Sequence, residues 1–258
     1  MQTKTARKMN IRINRLIICC LILVSTSLYF WQPTGPFWII DIVFRTYILF
    51  LCGVMGHEAS HGVLANNKIG NIWWGRLSFI PLVVPNVQFR ITHRYHHSFT
   101  NIERKDPDIL LKMDHWWQFP GRALAMPHHW VLWMKENGLL SKTVLIEWAL
   151  TYLTFGVIYG TVIYFVGWER VVYTLLPAQI LNSFLLWYPF AVKTHEGHST
   201  GSEESRSHDY YGSFMYWLTM GLSMHRAHHM HPQLGWLQLK PFVQSGKVFR
   251  RHIIPHEA

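Results

Sequence analysis

Four long apolar runs constrain this chain more than any other feature of it. Residues 16–32 are uncharged over 17 positions, close to the shortest helix that crosses a hydrocarbon core of about 30 Å at ~1.5 Å rise per residue. Residues 37–55 follow after the tight turn Pro33-Thr34-Gly35-Pro36. Residues 143–167 and 171–192 are separated only by Trp168, Glu169 and Arg170, which predicts a helical hairpin. The first run has no small-residue cleavage site and a second follows it at once, so it is expected to stay as a span and not to be removed as a leader. The expectation is an all-α, polytopic membrane protein with four transmembrane helices in two hairpins, forming one integral-membrane domain over residues 1–258.

Two further stretches are apolar without qualifying as spans. Residues 69–87 are broken by Gly70, Gly75, Pro81 and Pro85, which fits a re-entrant or interfacial segment. Residues 116–134 are rich in Trp, Met and His and are expected at the membrane surface, where indole rings are favoured. Asp41 and Arg45 lie four apart inside the second run, the spacing of neighbours on one helical face. Intramembrane charges normally pair, so an internal ion pair is expected there.

The charge balance gives an orientation. The net charge is +10, yet only 15% of the residues are charged and half are hydrophobic. Such a chain is expected to bind a membrane and no nucleic acid. Of 24 Lys and Arg, five lie in residues 1–15, ten in 56–142 and seven in 193–258. Four spans put all three segments on one side, and the positive-inside rule makes that side cytoplasmic. The three cysteines, Cys19, Cys20 and Cys52, have no metal-ligand spacing and read as small buried hydrophobes.

Seventeen histidines all fall in the segments that this topology places in the cytoplasm. They form four groups: His57-Glu58-Ala59-Ser60-His61, His93-Arg94-Tyr95-His96-His97, His195-Glu196-Gly197-His198 and His225-Arg226-Ala227-His228-His229. Helical positions i, i+3 and i+4 share a face, so each group can aim two or three imidazoles at one point. A helix from Phe37 to Gly62 would be about 39 Å long and would carry His57 and His61 past the hydrocarbon. Imidazole suits Zn, Fe, Cu and Ni, and a single catalytic zinc needs only three protein ligands. Eight histidines in the first, second and fourth groups are too many for one metal and suit two.

This pattern of H-x3-H, H-x2-H-H and H-x2-H-H around two hairpins resembles the integral-membrane fatty acid desaturase and hydroxylase superfamily, which includes carotenoid ketolases and hydroxylases. The resemblance runs from about His57 to Pro232. It is supported by Gly62 after the first box, by Ser98-Phe99-Thr100-Asn101 and Asp106-Pro107-Asp108 after the second, and by His228-His229-Met230-His231-Pro232. It implies a histidine-rich helical cap on the cytoplasmic side carrying a non-haem centre of two Fe that uses O2, with electrons from ferredoxin or a similar donor. It implies His57, His61, His93, His96, His97, His225, His228 and His229 as ligands. A further ligand is implied just after the last span; His195 and His198 both fit, and His198 is preferred. The chain is shorter than most acyl desaturases, and Glu196-Gly197-His198-Ser199 departs from the family pattern. With no cytochrome b5-like segment in these residues, a separate electron donor is expected.

The implied activity is desaturation or hydroxylation of an unactivated C–H bond in a bilayer lipid, with a fatty acyl chain as first choice and a carotenoid ring as second. Asp106, Asp108 and Glu58 are candidates for orienting ligand histidines; a capped turn around Pro107 is the alternative for the two aspartates. His115, His128 and His129 are expected outside the metal sites. His208, His231, His252 and His256 are expected at the surface or supporting the ligands. Trp73, Trp74, Trp116, Trp117, Trp130 and Trp133 are expected as interfacial anchors. Arg250 and Arg251 add to a basic face that would attract anionic lipid or an acidic electron carrier. Two competing functions remain. His57-Glu58-Ala59-Ser60-His61 satisfies H-E-x-x-H, the signature of a zinc protease with Glu58 as general base, but this leaves both H-x2-H-H boxes unexplained. A metal or haem transporter predicts polar residues along the spans, and these spans offer few.

Overall fold

A computed structural model of the chain describes residues 4–31, 33–198, 207–210 and 212–244. Every regular element among them is helical: α1 (Lys4–Phe30), α2 (Phe37–Ser60), α3 (Lys68–Phe79), α4 (Asn86–Phe99), α5 (Phe119–Glu136), α6 (Lys142–Val166), α7 (Trp168–Leu181), α8 (Ser213–Leu218), α9 (His225–Met230) and α10 (Trp236–Gln244), with short 3₁₀ turns at Pro107–Leu111 and Trp116–Gln118. Among the described residues, four helices are long and apolar enough to cross a membrane: α1, α2, α6, and α7 with its continuation to Lys193. They form the two expected hairpins. Gly167, at φ +83°, closes α6 and opens α7, a backbone conformation that L side chains rarely adopt.

α2 is the central element and is buried on nearly all sides along its second half, as expected of a helix that is apolar all round. It packs on α1, α3 and α7. α6 lies outermost, with Leu145, Leu150, Leu153, Val157 and Phe165 exposed. So much outward apolar surface suits lipid and not water. At one end of the bundle Arg170 donates to the carbonyls of Leu28 and Trp31 and lies 3.1 Å from Asp41, which pairs with Arg45 at 3.2 Å. The expected ion pair is therefore a three-residue cluster joining α1, α2 and α7. On the opposite half, Glu147 joins α6 to α3 and α4 through Arg76 at 2.8 Å and Arg90 at 3.4 Å.

Several expectations need correction. The first helix begins at Lys4, so the basic segment is part of it. At 27 residues it is about 40 Å long, and its first half packs on the histidine-bearing end. Asn10 donates to the Val63 carbonyl, Arg15 to Leu64, and Asn14 accepts from the Trp236 indole at 2.7 Å. The approach is close enough that a side chain at Gly235 would overlap Asn10. The last span is not a regular α-helix throughout: it widens into π-helical turns at Asn182–Trp187 and Pro189–Lys193. Cys52 is buried, but Cys19 and Cys20 face outward. Trp130 and Trp133 are buried, whereas Trp73, Trp116 and Trp117 are exposed.

The segment expected to be re-entrant or interfacial is α3 followed by a turn. Twelve residues of α3 rise about 18 Å, too little to cross. The turn carbonyls are satisfied by side chains of the spans: Tyr159 of α6 donates to Ile80 and Pro81, and Gln179 of α7 donates to Leu82 at 2.9 Å. Val83 sits in it at φ +56°, a conformation a β-branched residue adopts only when its surroundings hold it there.

Candidate metal centre

Three short helical stretches carry the histidine boxes to one end of the bundle. The last turn of α2 holds His57, with His61 at its C-cap, and Gly62 at φ +75° turns the chain away. α4 is a polar helix whose buried face includes His93, His96 and His97. α9 is only six residues long and buries His225, His228 and His229.

The side chains sort into two groups, each with ligand atoms within 4.8 Å of one another: His57, His61, His93, His97 and His228 in one, and His96, His195, His225 and His229 in the other. The i and i+4 members of each box share a group. The odd residue of each H-x2-H-H box, His96 on α4 and His228 on α9, crosses to the opposite group. Helix geometry permits this split, since i+3 lies about 60° to one side of i and i+4 about 40° to the other around an axis of 3.6 residues per turn.

The spacing of the ring nitrogens tests whether cations fit here. His61 Nε2 lies 3.1 Å from His228 Nε2 and 2.9 Å from His93 Nε2, and the last lies 3.1 Å from His97 Nε2. His225 Nε2 lies 2.8 Å from His195 Nε2 and 3.1 Å from His229 Nε2. An imidazole nitrogen has one in-plane site, a lone pair or an N–H. His61, His93 and His225 therefore cannot satisfy two neighbours each by hydrogen bonding alone. Neighbouring ligands at right angles around one ion, with bonds of ~2.1 Å, would stand about 3.0 Å apart. His57 is 3% exposed and neither ring nitrogen has a hydrogen-bond partner, an arrangement that costs about 1–3 kcal/mol unless something is bound. The donor set fits two cations.

Electrostatics agree. Burial, followed by the proximity of other imidazoles, holds His93, His97, His225, His228 and His229 far below the ordinary histidine range. They stay neutral, the form that binds metal. His96 is the exception. Burial would lower it, but the carboxylates of Asp106 and Asp108 outweigh this and raise it to about 9. Its Nδ1 lies 3.0 Å from Asp106 Oδ1 and 3.6 Å from Asp108 Oδ2. A carboxylate at Nδ1 keeps a proton on that nitrogen, so Nε2 is the one that could bind a metal, on giving up its own proton. Asp106 also accepts from the backbone N–H of Asn101 at 2.7 Å and of Asp108 at 2.9 Å, capping the 3₁₀ turn. One side chain thus both pairs with His96 and caps the turn around Pro107. Asp108 is held by the Trp130 indole at 2.8 Å.

The other sequence candidates are placed as follows. His195, the less favoured of its pair, stands in the second group. His198 does not: its Nε2 lies 3.1 Å from His208 Nδ1. Glu58 turns away from the imidazoles of its own box and accepts from the Trp236 backbone N–H at 3.0 Å, tying α2 to α10. His115 stacks on Trp117, and His128 and His129 join neither group. His231 is buried against Phe242. His252, His256, Arg250 and Arg251 lie outside the described residues.

An apolar cavity of about 200 Å³ adjoins both groups. His57 and His93 of the first and His96, His195 and His225 of the second form part of its wall, and the rest is mainly apolar, including Phe79, Leu82, Phe89, Leu111, Phe119, Met126, Trp130, Trp187, Phe190 and Leu222. An apolar passage for the substrate between the spans is expected from the sequence, but its wall residues are not legible there, because they come from α2, α3, α4, α5, α9, the last span and the loops between them.

Comparison with known proteins gives a concordant picture. The profile of the family described as fatty acid desaturase matches residues 33–247. The chain is 23% identical to a sn-1 oleoyl-lipid 12-desaturase of Arthrospira platensis over 86% of its own length and 72% of that protein. It is 28% identical to the omega-3 fatty acid desaturase fat-1 of Caenorhabditis elegans over 51% of this chain and 31% of the relative. A sn-1 acyl-lipid omega-3 desaturase (ferredoxin) of Synechocystis is 36% identical over 28% of this chain and 18% of the relative. The last two matches thus span less than a third of those enzymes. No solved structure matches the chain.

Proposed function

The chain belongs to the fatty acid desaturase family, and from that premise we propose that it is a di-iron, O2-dependent enzyme that desaturates a fatty acyl chain held in the bilayer. The observation that carries the proposal is the convergence of two histidine groups on one apolar cavity. His57, His61, His93, His97 and His228 would hold one iron, and His96, His195, His225 and His229 the other. When bound, such a pair supplies the electrons and the oxidising power that O2 needs to attack an unactivated C–H bond.

The residues of the chain supply everything else. Neutral imidazoles hold the cations without adding negative charge. Asp106 and Asp108 fix the proton of His96 on Nδ1 and aim its other nitrogen into the second group. Phe79, Phe89, Phe119 and Trp187 keep the cavity dry and shape it for hydrocarbon. The chain carbon brought against His57, His93, His96 and His195 is the one exposed to oxidation, so the contour of the cavity fixes the position of the new double bond. Loss of two hydrogens from the lipid, with reduction of O2 to two waters, needs two further electrons and two protons. A separate ferredoxin-like donor would supply the electrons, as the name of the Synechocystis relative indicates for that protein. The basic segments and the histidine groups share one end of the bundle through the contacts of Asn10, Asn14 and Arg15, and the positive-inside rule places that end and both termini in the cytoplasm. We read residues 1–258 as one domain.

The zinc-protease reading needs Glu58 free to activate water. Its carboxylate is committed to Trp236 instead, and a single zinc would leave one of the two groups without a role. Lipid profiling of a host expressing the chain, against His96→Ala, tests the proposal. A new double bond present only with the unaltered chain is expected, and identical profiles would overturn it. A hydroxyl or keto product, or an altered carotenoid, would move the assignment within the superfamily.

A further inference from the structure

α9 supplies His225, His228 and His229 to the two groups, yet it is only six residues long. A helix this short holds itself poorly, because its first turn fixes several residues for few hydrogen bonds. Its first N–H groups need acceptors from outside the helical ladder, and Met224, at its N-cap, has no side-chain oxygen to offer. The acceptor comes from elsewhere in the chain. Asp209 Oδ1 takes the Ala227 N–H at 3.2 Å, and the same carboxylate takes the Arg226 N–H. These are the second and third residues of α9, the ones that an N-cap side chain ordinarily serves. The backbone on either side of Asp209 makes two further ties. The His208 N–H donates to the Thr194 carbonyl at 3.0 Å, and the Tyr210 N–H to the Ser223 carbonyl at 2.8 Å. Residues 208–210 thus join the turn that presents His195 to the approach to α9, and His195 and His225 meet with their Nε2 atoms 2.8 Å apart.

We propose that Asp209 is a positioning residue of the metal centre: by capping α9 in place of a local residue, it holds His225, His228 and His229 where the two groups need them. The inference rests on the reading of those groups as metal sites. Asp106 and Asp108 act on one imidazole, His96, whereas Asp209 acts through the backbone on a helix that serves both groups. Its effect is therefore shared, but unequally. α9 gives the second group two of its four imidazoles, His225 and His229, and the first group one of its five, His228. Without the carboxylate the N–H groups of Arg226 and Ala227 lose their acceptor. Ala227 is buried, where an N–H left without a partner is costly. The first turn, which carries His225, is the part set free.

The test uses the full chain in detergent, loaded with Co2+ and equilibrated against graded chelator, with the visible absorption per bound ion as a second reading. Asp209→Ala should release one ion at chelator concentrations about tenfold lower than the unaltered chain requires, and the other ion with a smaller shift. The absorption per bound Co2+ should change in the protein that stays folded, because the ligands themselves are displaced. Asp209→Asn keeps an acceptor oxygen for one of the two N–H groups, so its release should be shifted only about threefold; it decides the matter by itself if the alanine variant does not fold. Release and absorption like those of the unaltered chain overturn the inference. So does a reduced folded fraction whose Co2+ is bound and coloured as before, which is what a purely structural cap would give, and so does an asparagine variant no better than alanine. The desaturase reading fails separately: dependence of Co2+ binding on Asp209 in a chain that desaturates no lipid when loaded with iron would remove that reading and leave this one, whereas desaturation together with Co2+ binding indifferent to Asp209 would do the reverse.

Discussion

Replacing Asp106 with Asn should empty one histidine group and spare the other. Asp106 uses both carboxylate oxygens: Oδ1 receives His96 Nδ1 and the Asp108 N–H, and Oδ2 receives the Asn101 N–H. All three partners are donors. An asparagine keeps one oxygen, so its amide nitrogen must face either Asn101 or His96 and oppose a donor there. A hydrogen bond to a charged group contributes about 1.5–3 kcal/mol, and loss of the partner that orients a ligand histidine typically costs 10–100-fold in metal affinity. At 1.4 kcal/mol per decade these two magnitudes agree. His96 belongs to the group with His195, His225 and His229, so the loss should fall there. Metal content after equilibration against graded chelator is the assay. Asp106→Asn should release about half of its iron at chelator concentrations some ten to a hundred times lower than the unaltered chain requires, and the other half should leave together with that of the unaltered chain. Coincident release of all the metal, or no change, would refute the division into two groups with Asp106 behind one of them.

Other consequences can be checked directly. His228→Ala and His229→Ala alter adjacent residues but different groups, so each should lower iron from about two to about one per chain, and combining either with Asp106→Asn should separate them: His229→Ala adds no further loss, His228→Ala does. A methyl at Gly53 would overlap the Trp187 ring, which lines the cavity; Gly53→Ala should push that ring inward and shift product chain length or double-bond position, read by lipid profiling. Asp41→Asn leaves Arg45, 1% exposed, and Arg170 without their shared anion; breaking such a buried pair costs about 3–5 kcal/mol, which detergent-unfolding titration should detect while the surviving folded fraction keeps its metal.

The parts of this architecture that depend on local spacing were legible in the sequence. Four spans followed from apolar run length, and the three histidine boxes followed from i, i+3 and i+4 geometry. What lay outside that reach depended on other elements. Whether His228 or His229 serves a given group depends on where α9 sits relative to α2 and α4. The choice between His195 and His198 was not legible, because the last span widens into π-helical turns between Asn182 and Lys193, where the 3.6-residue period no longer gives the phase; the structure brings His195 into a group and leaves His198 outside it. Glu58 looked like a partner for its neighbouring histidines, but the Trp236 backbone N–H, 178 residues away in sequence, claims it. The first helix was placed too short because its basic half reads as a flanking segment; buried Asn10 and Asn14 show that it packs against the histidine-bearing end.

Elemental analysis of the full chain, purified without chelator from an iron-replete host, tests the central claim most directly. The two histidine groups predict about two irons per chain, falling to about one with His229→Ala. A single ion per chain, or zinc in place of iron at full occupancy, would contradict the account.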